Sequence, residues 1–298
     1  MSVVLDFEVG REGPKPRDAA TLIVVRDGAL GLEVFCVERA KQSRFLGGAI
    51  VFPGGKLDPA DRDPAWAARA TPMPASAAPM AEGADMLRAL GVAACREALE
   101  EAAILPVSGG ALAHDELLAL RGRLAEEGPS APGELLASLA SRGLSLDLAG
   151  LRPFARWVTP AAESRRFDAR FFLASAPPGQ DGAHDDFETK ASFWAPPADV
   201  LARFDRGEVA LAPPTHRTLA VLSSWPTVSA AMRGVEEACL DVVCPKLVPH
   251  VDASGETLAL VLPGDPEHDV AEKRVPGASR FVLRGDRWCP EDAPARRA

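Results

Sequence analysis

From Asp85 to Ile104 the chain carries the pattern of an amphipathic helix whose polar face is acidic. The informative part reads Gly91-Val92-Ala93-Ala94-Cys95-Arg96-Glu97-Ala98-Leu99-Glu100-Glu101-Ala102-Ala103-Ile104. Each helical residue turns by roughly 100°, so Val92, Cys95, Leu99 and Ala102 share one stripe. Glu97, Glu100 and Glu101 fall on the opposite side, at i, i+3 and i+4. Like charges at this spacing repel by roughly a few tenths of a kcal/mol per pair. Carboxylates so gathered are also the hard oxygen donors that Mg²⁺ or Mn²⁺ requires. A solvated acidic face is the competing reading, which this spacing alone does not exclude.

The helix is framed by strand patterns. Ala20–Arg26 is β-branched and apolar, a buried strand, and Asp27-Gly28 turns the chain into a second at Leu32–Glu38. Ala49–Phe52 is a short third strand that runs into the breaker Pro53-Gly54-Gly55. Residues 62–83 are rich in Ala, Pro and Met and follow no period, which predicts an exposed, irregular insertion. Short helices are expected at Asp115–Glu127 and Gly133–Arg142, within a helical segment of about 112–142. Strands follow at Phe154–Thr159, Arg170–Ala174 and Phe187–Trp194, then helices at Pro213–Ser224 and Pro226–Cys239. Two last strands lie near Thr257–Leu262 and Arg280–Arg284. Strands, helices and strands in this order predict a mixed α/β layered domain over residues 16–239 and a C-terminal extension over 240–298.

The net charge of −9 argues against nucleic acid or an anionic membrane as partner, since both select basic surfaces. It does not argue against a small anionic substrate, because a bound divalent metal inverts the local sign. No apolar run approaches the roughly 18 residues of a membrane span. The first residues lack a basic region before a long apolar stretch and do not read as a signal peptide. Cys36, Cys95, Cys239, Cys244 and Cys289 form no Cys-x-x-Cys pair, so reduced thiols and a cytoplasmic location are expected. The five histidines have no zinc-site spacing, no Gly-x-Ser-x-Gly elbow is present, and the glycine-rich run lacks the Gly-Lys-Ser/Thr of a P-loop.

Upstream of the helix stands Phe52-Pro53-Gly54-Gly55-Lys56-Leu57-Asp58-Pro59-Ala60-Asp61. Taken with the helix, this resembles the box of the Nudix hydrolases, in which a glycine and an acid precede Arg-Glu-aliphatic-x-Glu-Glu-x-Gly-aliphatic. Gly55 stands at the box glycine and Asp61 at the first acid. Arg96-Glu97, Glu100-Glu101 and Ile104 stand at the later positions. There are departures. Asp61 and Arg96 are separated by 34 residues, far more than the usual spacer, which resembles an insertion in certain animal peroxisomal members. Ala103 stands where the box has the glycine that lets the helix end.

The resemblance implies an α/β/α sandwich with a mixed sheet, and a metal-dependent hydrolase of a diphosphate linkage. It implies Glu97, Glu100, Glu101 and Asp61 as metal ligands, Arg96 as the residue that orients the carboxylates, and Glu100 or Glu101 as the base. A second likeness narrows the substrate. Arg39-Ala40-Lys41-Gln42-Ser43-Arg44-Phe45-Leu46-Gly47-Gly48-Ala49-Ile50-Val51-Phe52-Pro53-Gly54-Gly55 meets every fixed position of the motif of coenzyme A diphosphatases within the family. It implies Arg39, Arg44, Gly54 and Gly55 as substrate-binding positions and coenzyme A or acyl-CoA as substrate, cut to 3′,5′-ADP and a 4′-phosphopantetheine species. Nucleoside diphosphate sugars or dinucleotides are the alternative substrates, and an inactive nucleotide-binding module is the alternative class. Arg165 and Arg166 are candidates to meet a ribose phosphate, and Glu188 to orient the attacking water.

Overall fold

The computed structural model describes residues 13–39, 48–127, 133–184, 189–253 and 255–293. Strand β1 (Arg17–Gly28) is its axis, and a tight turn joins it to β2 (Gly31–Arg39). Next come β3 (Ala49–Val51) and β4 (Gly54–Lys56), then the long helix α1 (Ala84–Ala102). Strands β5 (Val107–Ser108) and β6 (Ser145–Leu146) pair around two helices, α2 (His114–Glu127) and α3 (Gly133–Ser141). The chain returns through β7 (Arg152–Val158), β8 (Phe167–Ser175) and β9 (Thr189–Ala195) to α4 (Pro197–Asp205). Then follow β10 (Ala210–Leu211), α5 (Pro213–Leu222), α6 (Val228–Gly234) and β11 (Val242–Val243).

These strands make one mixed sheet in the order β10-β3-β2-β1-β8-β7-β11, with β4 added beside β1 and β9 beside β2. β1 runs parallel to β8, from Arg17 opposite Phe167 to Val25 opposite Ser175, and antiparallel to β2 and β4. Leu22, Ile23, Val24 and Val25 are fully buried, as a strand covered on both faces requires. Alternate residues serve opposite cores. Ala20, Leu22 and Val24 pack with Cys95 and Leu99 of α1, whereas Ile23 and Val25 pack with Val200, Leu219 and Ala231 of α4, α5 and α6. Helices on both faces of a mixed sheet give the α/β/α sandwich. No helix among the described residues is long and apolar enough to cross a membrane.

The segment 62–83 departs from the sequence expectation. It is not an exposed excursion: Trp66, Ala77 and Met80 lie in the core against α1. It lacks a period because it is built from short 3-10 turns, which repeat too briefly to leave one. Trp66 Nε1–H donates to Ala60 O at 3.1 Å, which ties the start of the segment to the turn before it, and Arg170 Nε–H of β8 donates to Met80 O at 3.0 Å, which ties its end to the sheet.

Beyond β11, four strands form a second, antiparallel sheet in chain order: β12 (Lys246–Asp252), β13 (Gly255–Val261), β14 (Arg280–Arg284) and β15 (Arg287–Glu291). Leu260, Phe281 and Trp288 join the core beneath α5 and α6. Sequence reading finds only the two inner strands. The outer pair carries Pro249 and Pro290, residues that weaken a strand pattern and are tolerated on edges, where no second partner needs the missing N–H.

Candidate active site

After β3, Phe52-Pro53 turns the chain back and β4 lies against β1, with Gly54 opposite Thr21 and Gly55 opposite Ala20. The glycines are required by close approach. A Cβ on Gly55 would stand 2.4 Å from Glu97 Oε1, and one on Gly54 would stand 2.7 Å from Ala20 O and Thr21 Oγ1. The gap left by two absent side chains lets α1 bring its glutamates to the sheet. Gly54 N–H donates to Glu101 Oε2 at 3.0 Å, and Arg39 Nη1 lies 3.9 Å from Glu101 Oε1.

The acidic face of α1 is therefore not a solvated one. Glu101 is 5% exposed. The Glu97 side chain is 13% exposed, and that of Glu100 37%. Arg96 holds the group together. Its Nη1 donates to Glu97 Oε1 at 2.9 Å and Glu100 Oε2 at 3.0 Å, and its Nη2 to Lys56 O at 3.2 Å. Its Nε and Nη2 each reach one oxygen of Asp61 at 2.9 Å. Burial pushes the Glu97 carboxyl up to about 7; Arg96 pulls against the rise, while Glu100 and Asp61 add to it. Burial also raises Glu100.

Asp61 departs from the metal-ligand expectation. Both of its oxygens are taken by Arg96, one also accepts the Asp58 N–H at 2.8 Å, and the side chain is 1% exposed. The structure places it behind Arg96, as that residue's counter-ion. The helix ends as the box demands even without glycine: Ala103 is left-handed, at φ 50° and ψ 40°.

Glu97 and Glu101 line a cleft of about 760 Å³, and they are its only acids among the described residues. The cleft crosses the sheet. Its floor is Arg17, Ala19 and Thr21 of β1, the period-two face of one strand, beside Phe167, Ala169 and Phe171 of β8. Trp157 and Leu260 close an apolar side. Gly54, Gly55 and Arg39 line the acid end, and Lys15, Arg17, Arg165 and Arg166 also line the cleft. Arg44 and Glu188 lie outside the described residues. Sequence reading missed Lys15, Arg17 and Leu260; a basic pair in a short lead-in is the only trace the first two leave.

Hard oxygen donors facing one cleft fit a divalent cation at Glu97 and Glu101. Elsewhere, ligand atoms of His250, Asp252 and Glu291 come within 4.8 Å of one another. There Arg284 already answers the charge, at 2.5 Å from Asp252 and 2.7 Å from Glu291.

Comparison with known proteins agrees with this geometry. The family model of the NUDT19 Nudix domain matches residues 84–222. The chain is 27% identical over 308 residues to the acyl-coenzyme A diphosphatase NUDT19 of Gallus gallus, a match covering 86% of this chain and 75% of that one. With the human protein of the same name, identity is 25% over 279 residues, covering 80% and 72%. The crystal structure of a NUDIX hydrolase from Alicyclobacillus acidocaldarius superposes with a TM-score of 0.63 at 38% identity, covering 74% of this chain and 96% of that one. With the glutamate helix, the paired glycines and the mixed sheet all in place, this chain belongs to the Nudix hydrolase family and is a diphosphohydrolase.

Proposed function

We propose that the chain hydrolyses the diphosphate of acyl-coenzyme A, releasing 3′,5′-ADP and an acyl-4′-phosphopantetheine, with Mg²⁺ or Mn²⁺ as cofactor. One observation carries this reading: a single cleft joins an acid end at Glu97 and Glu101 to a set of cations and an apolar wall. A substrate with a diphosphate, further anionic groups and a long, largely apolar arm uses all three. The names of the chicken and human relatives support the same substrate.

In this reading Glu97 and Glu101 hold the cation, and Glu100, which shares Arg96 with Glu97, completes the acidic cluster. When bound there, a divalent cation would supply charge neutralisation at the diphosphate and a lowered pKa for water. Arg96, braced by Asp61, fixes the carboxylates before substrate arrives, so little reorganisation is left for the reaction. Of the two candidates for the base, Glu101 faces the cleft and Glu100 does not line it, which favours Glu101 as proton acceptor. Gly54 N–H orients that carboxylate. Arg39, beside Glu101, is placed to answer diphosphate oxygens, and Arg44 takes part by its motif position. Trp157, Phe171 and Leu260 offer the pantetheine arm a dry wall. The enzyme is assigned to a reducing, cytoplasmic setting, in keeping with five unpaired cysteines.

The test is a substrate panel with Mg²⁺ and with Mn²⁺: acyl-CoA, coenzyme A, ADP-ribose, a nucleoside diphosphate sugar and a dinucleotide, with products identified by mass. The reading expects acyl-CoA or coenzyme A to be cleaved with the highest kcat/KM. Robust cleavage of a sugar nucleotide with none of either coenzyme A species rejects it.

A further inference from the structure

Six cationic side chains line the cleft, and three of them already have partners. Arg39 faces Glu101 at 3.9 Å, and Lys56 binds Asp58 at 2.8 Å. Arg166 donates from Nε to Thr159 O and from Nη1 to Pro14 O, both at 3.0 Å. Lys15, Arg17 and Arg165 have no acidic partner among the described residues. The acids nearest them in sequence are committed elsewhere. Asp18 binds Arg170 at 2.8 Å and lies 3.5 Å from Arg62. Glu163 turns into its own loop, accepting the Ser164 N–H at 3.0 Å and the Arg165 N–H at 3.4 Å.

The sheet register brings the three together. Arg17 opens the parallel β1–β8 ladder opposite Phe167, and its N–H donates to Arg166 O at 2.9 Å. Two residues before each strand begins stand Lys15 and Arg165. Arg166 ties the two lead-ins to each other through Pro14 and Thr159. Three cations thus gather at one mouth of the cleft, unanswered, in a chain whose net charge is −9. Like charges gathered there favour an anion from outside, and a cleft wall concentrates the field.

Position says which anion. Thr21 lies opposite Gly54, at the acid end, and Arg17 is four residues away on β1, or about 13 Å at about 3.3 Å per residue. Between them β1 offers the small Ala19, with Ala169 of β8 opposite it. A diphosphate at the acid end would leave room for a nucleoside over Ala19, with a further phosphate at the basic mouth. We propose that Lys15, Arg17 and Arg165 form a second anion subsite that takes the phosphomonoester on the ribose of the substrate's nucleotide half. The inference rests on the substrate reading above and makes these three residues specificity determinants, with Arg166 a positioning residue behind them.

The test measures binding and needs no turnover. Adenosine 3′,5′-bisphosphate and adenosine 5′-monophosphate are titrated calorimetrically into the full chain without divalent metal. The same is done with the variant Lys15→Gln/Arg17→Gln/Arg165→Gln. The unsubstituted chain is expected to bind the bisphosphate at least about tenfold tighter, the effect of one charge-assisted contact, and the variant to lose that preference. Lys15 and Arg17 are exposed, so unchanged thermal melting of the variant is expected and is checked alongside. Equal binding of both nucleotides by the unsubstituted chain, or a preference that survives in the variant, overturns the subsite. A chain that prefers the bisphosphate yet cleaves no coenzyme A species sinks the substrate reading and leaves the subsite standing.

Discussion

Arg96 grips both carboxylate oxygens of Asp61 at 2.9 Å across 35 positions of sequence, and this pair closes the active site from behind. The insertion separates the two residues in the chain and the fold reunites them. Asp61 answers Arg96, and Arg96 turns its other donors to Glu97, Glu100 and Lys56 O.

Asp61→Asn keeps the shape and removes the charge. Arg96 then loses its anchor, and the carboxylates lose their fixed orientation. Mn²⁺ affinity and kcat should each fall about ten- to hundredfold, the range for residues that orient metal ligands. A variant with unchanged Mn²⁺ binding, measured by titration, would show that Asp61 does not act through Arg96.

Ala103 is the one non-glycine residue at positive φ among the described residues. The left-handed conformation costs an alanine roughly 1–2 kcal/mol, part of which glycine returns as lost unfolded-state freedom. Ala103→Gly is expected to stabilise by up to about 1 kcal/mol, or about 2–4 °C in Tm. A lower Tm in the variant contradicts this account of the helix end.

Trp66 is 2% exposed inside the inserted segment. Trp66→Ala should cost about 3–5 kcal/mol, the range for a large side chain removed from a core. Denaturant unfolding measures it. A cost below about 1 kcal/mol would return the insertion to the status of a loop.

Asp265 and Arg280 form a buried bidentate pair at 2.7 and 2.9 Å, holding β14 to the loop before it. Burial alone would raise the Asp265 carboxyl, but hydrogen bonds from Arg280, Ser279 and the Glu267 N–H hold it below the usual value. A carboxyl lowered in the native state contributes stability above its unfolded pKa and loses it as pH falls through the native value. Tm should therefore drop as pH falls below about 4, and Asp265→Asn should flatten that drop while lowering Tm at neutral pH. An acid limb of unchanged slope in the variant would place the titration elsewhere.

Much of the site was legible because regular elements write their period into sequence. The helix pattern places Glu97, Glu100 and Glu101 on one side of α1, and the apolar run of β1 marks the central strand. A helical projection has no depth, however. That Glu101 lies buried against Gly54 N–H while Glu100 stays half-exposed follows from where β4 packs, which no local pattern encodes. Asp61 was legible as a box position but not as a counter-ion, because its partner is set by a long-range fold. The meeting of Lys15 and Arg17 with Arg165 depends on parallel register between strands far apart in the chain. The core role of Trp66 and Met80 left no trace because 3-10 turns carry no sustained repeat.

Glu101, held at the cleft by Gly54 N–H, is the carboxylate on which the proposed metal-dependent cleavage most depends. Single-turnover cleavage of an acyl-CoA in the presence of Mg²⁺, followed by mass, tests it in the unsubstituted chain, in Glu101→Gln and after chelation with EDTA. Expected are 3′,5′-ADP and acyl-4′-phosphopantetheine from the unsubstituted chain, loss of both products with EDTA, and a rate at least about a hundredfold lower in Glu101→Gln. A Glu101→Gln variant that folds and cleaves near the unsubstituted rate, or cleavage that persists in EDTA, would contradict it.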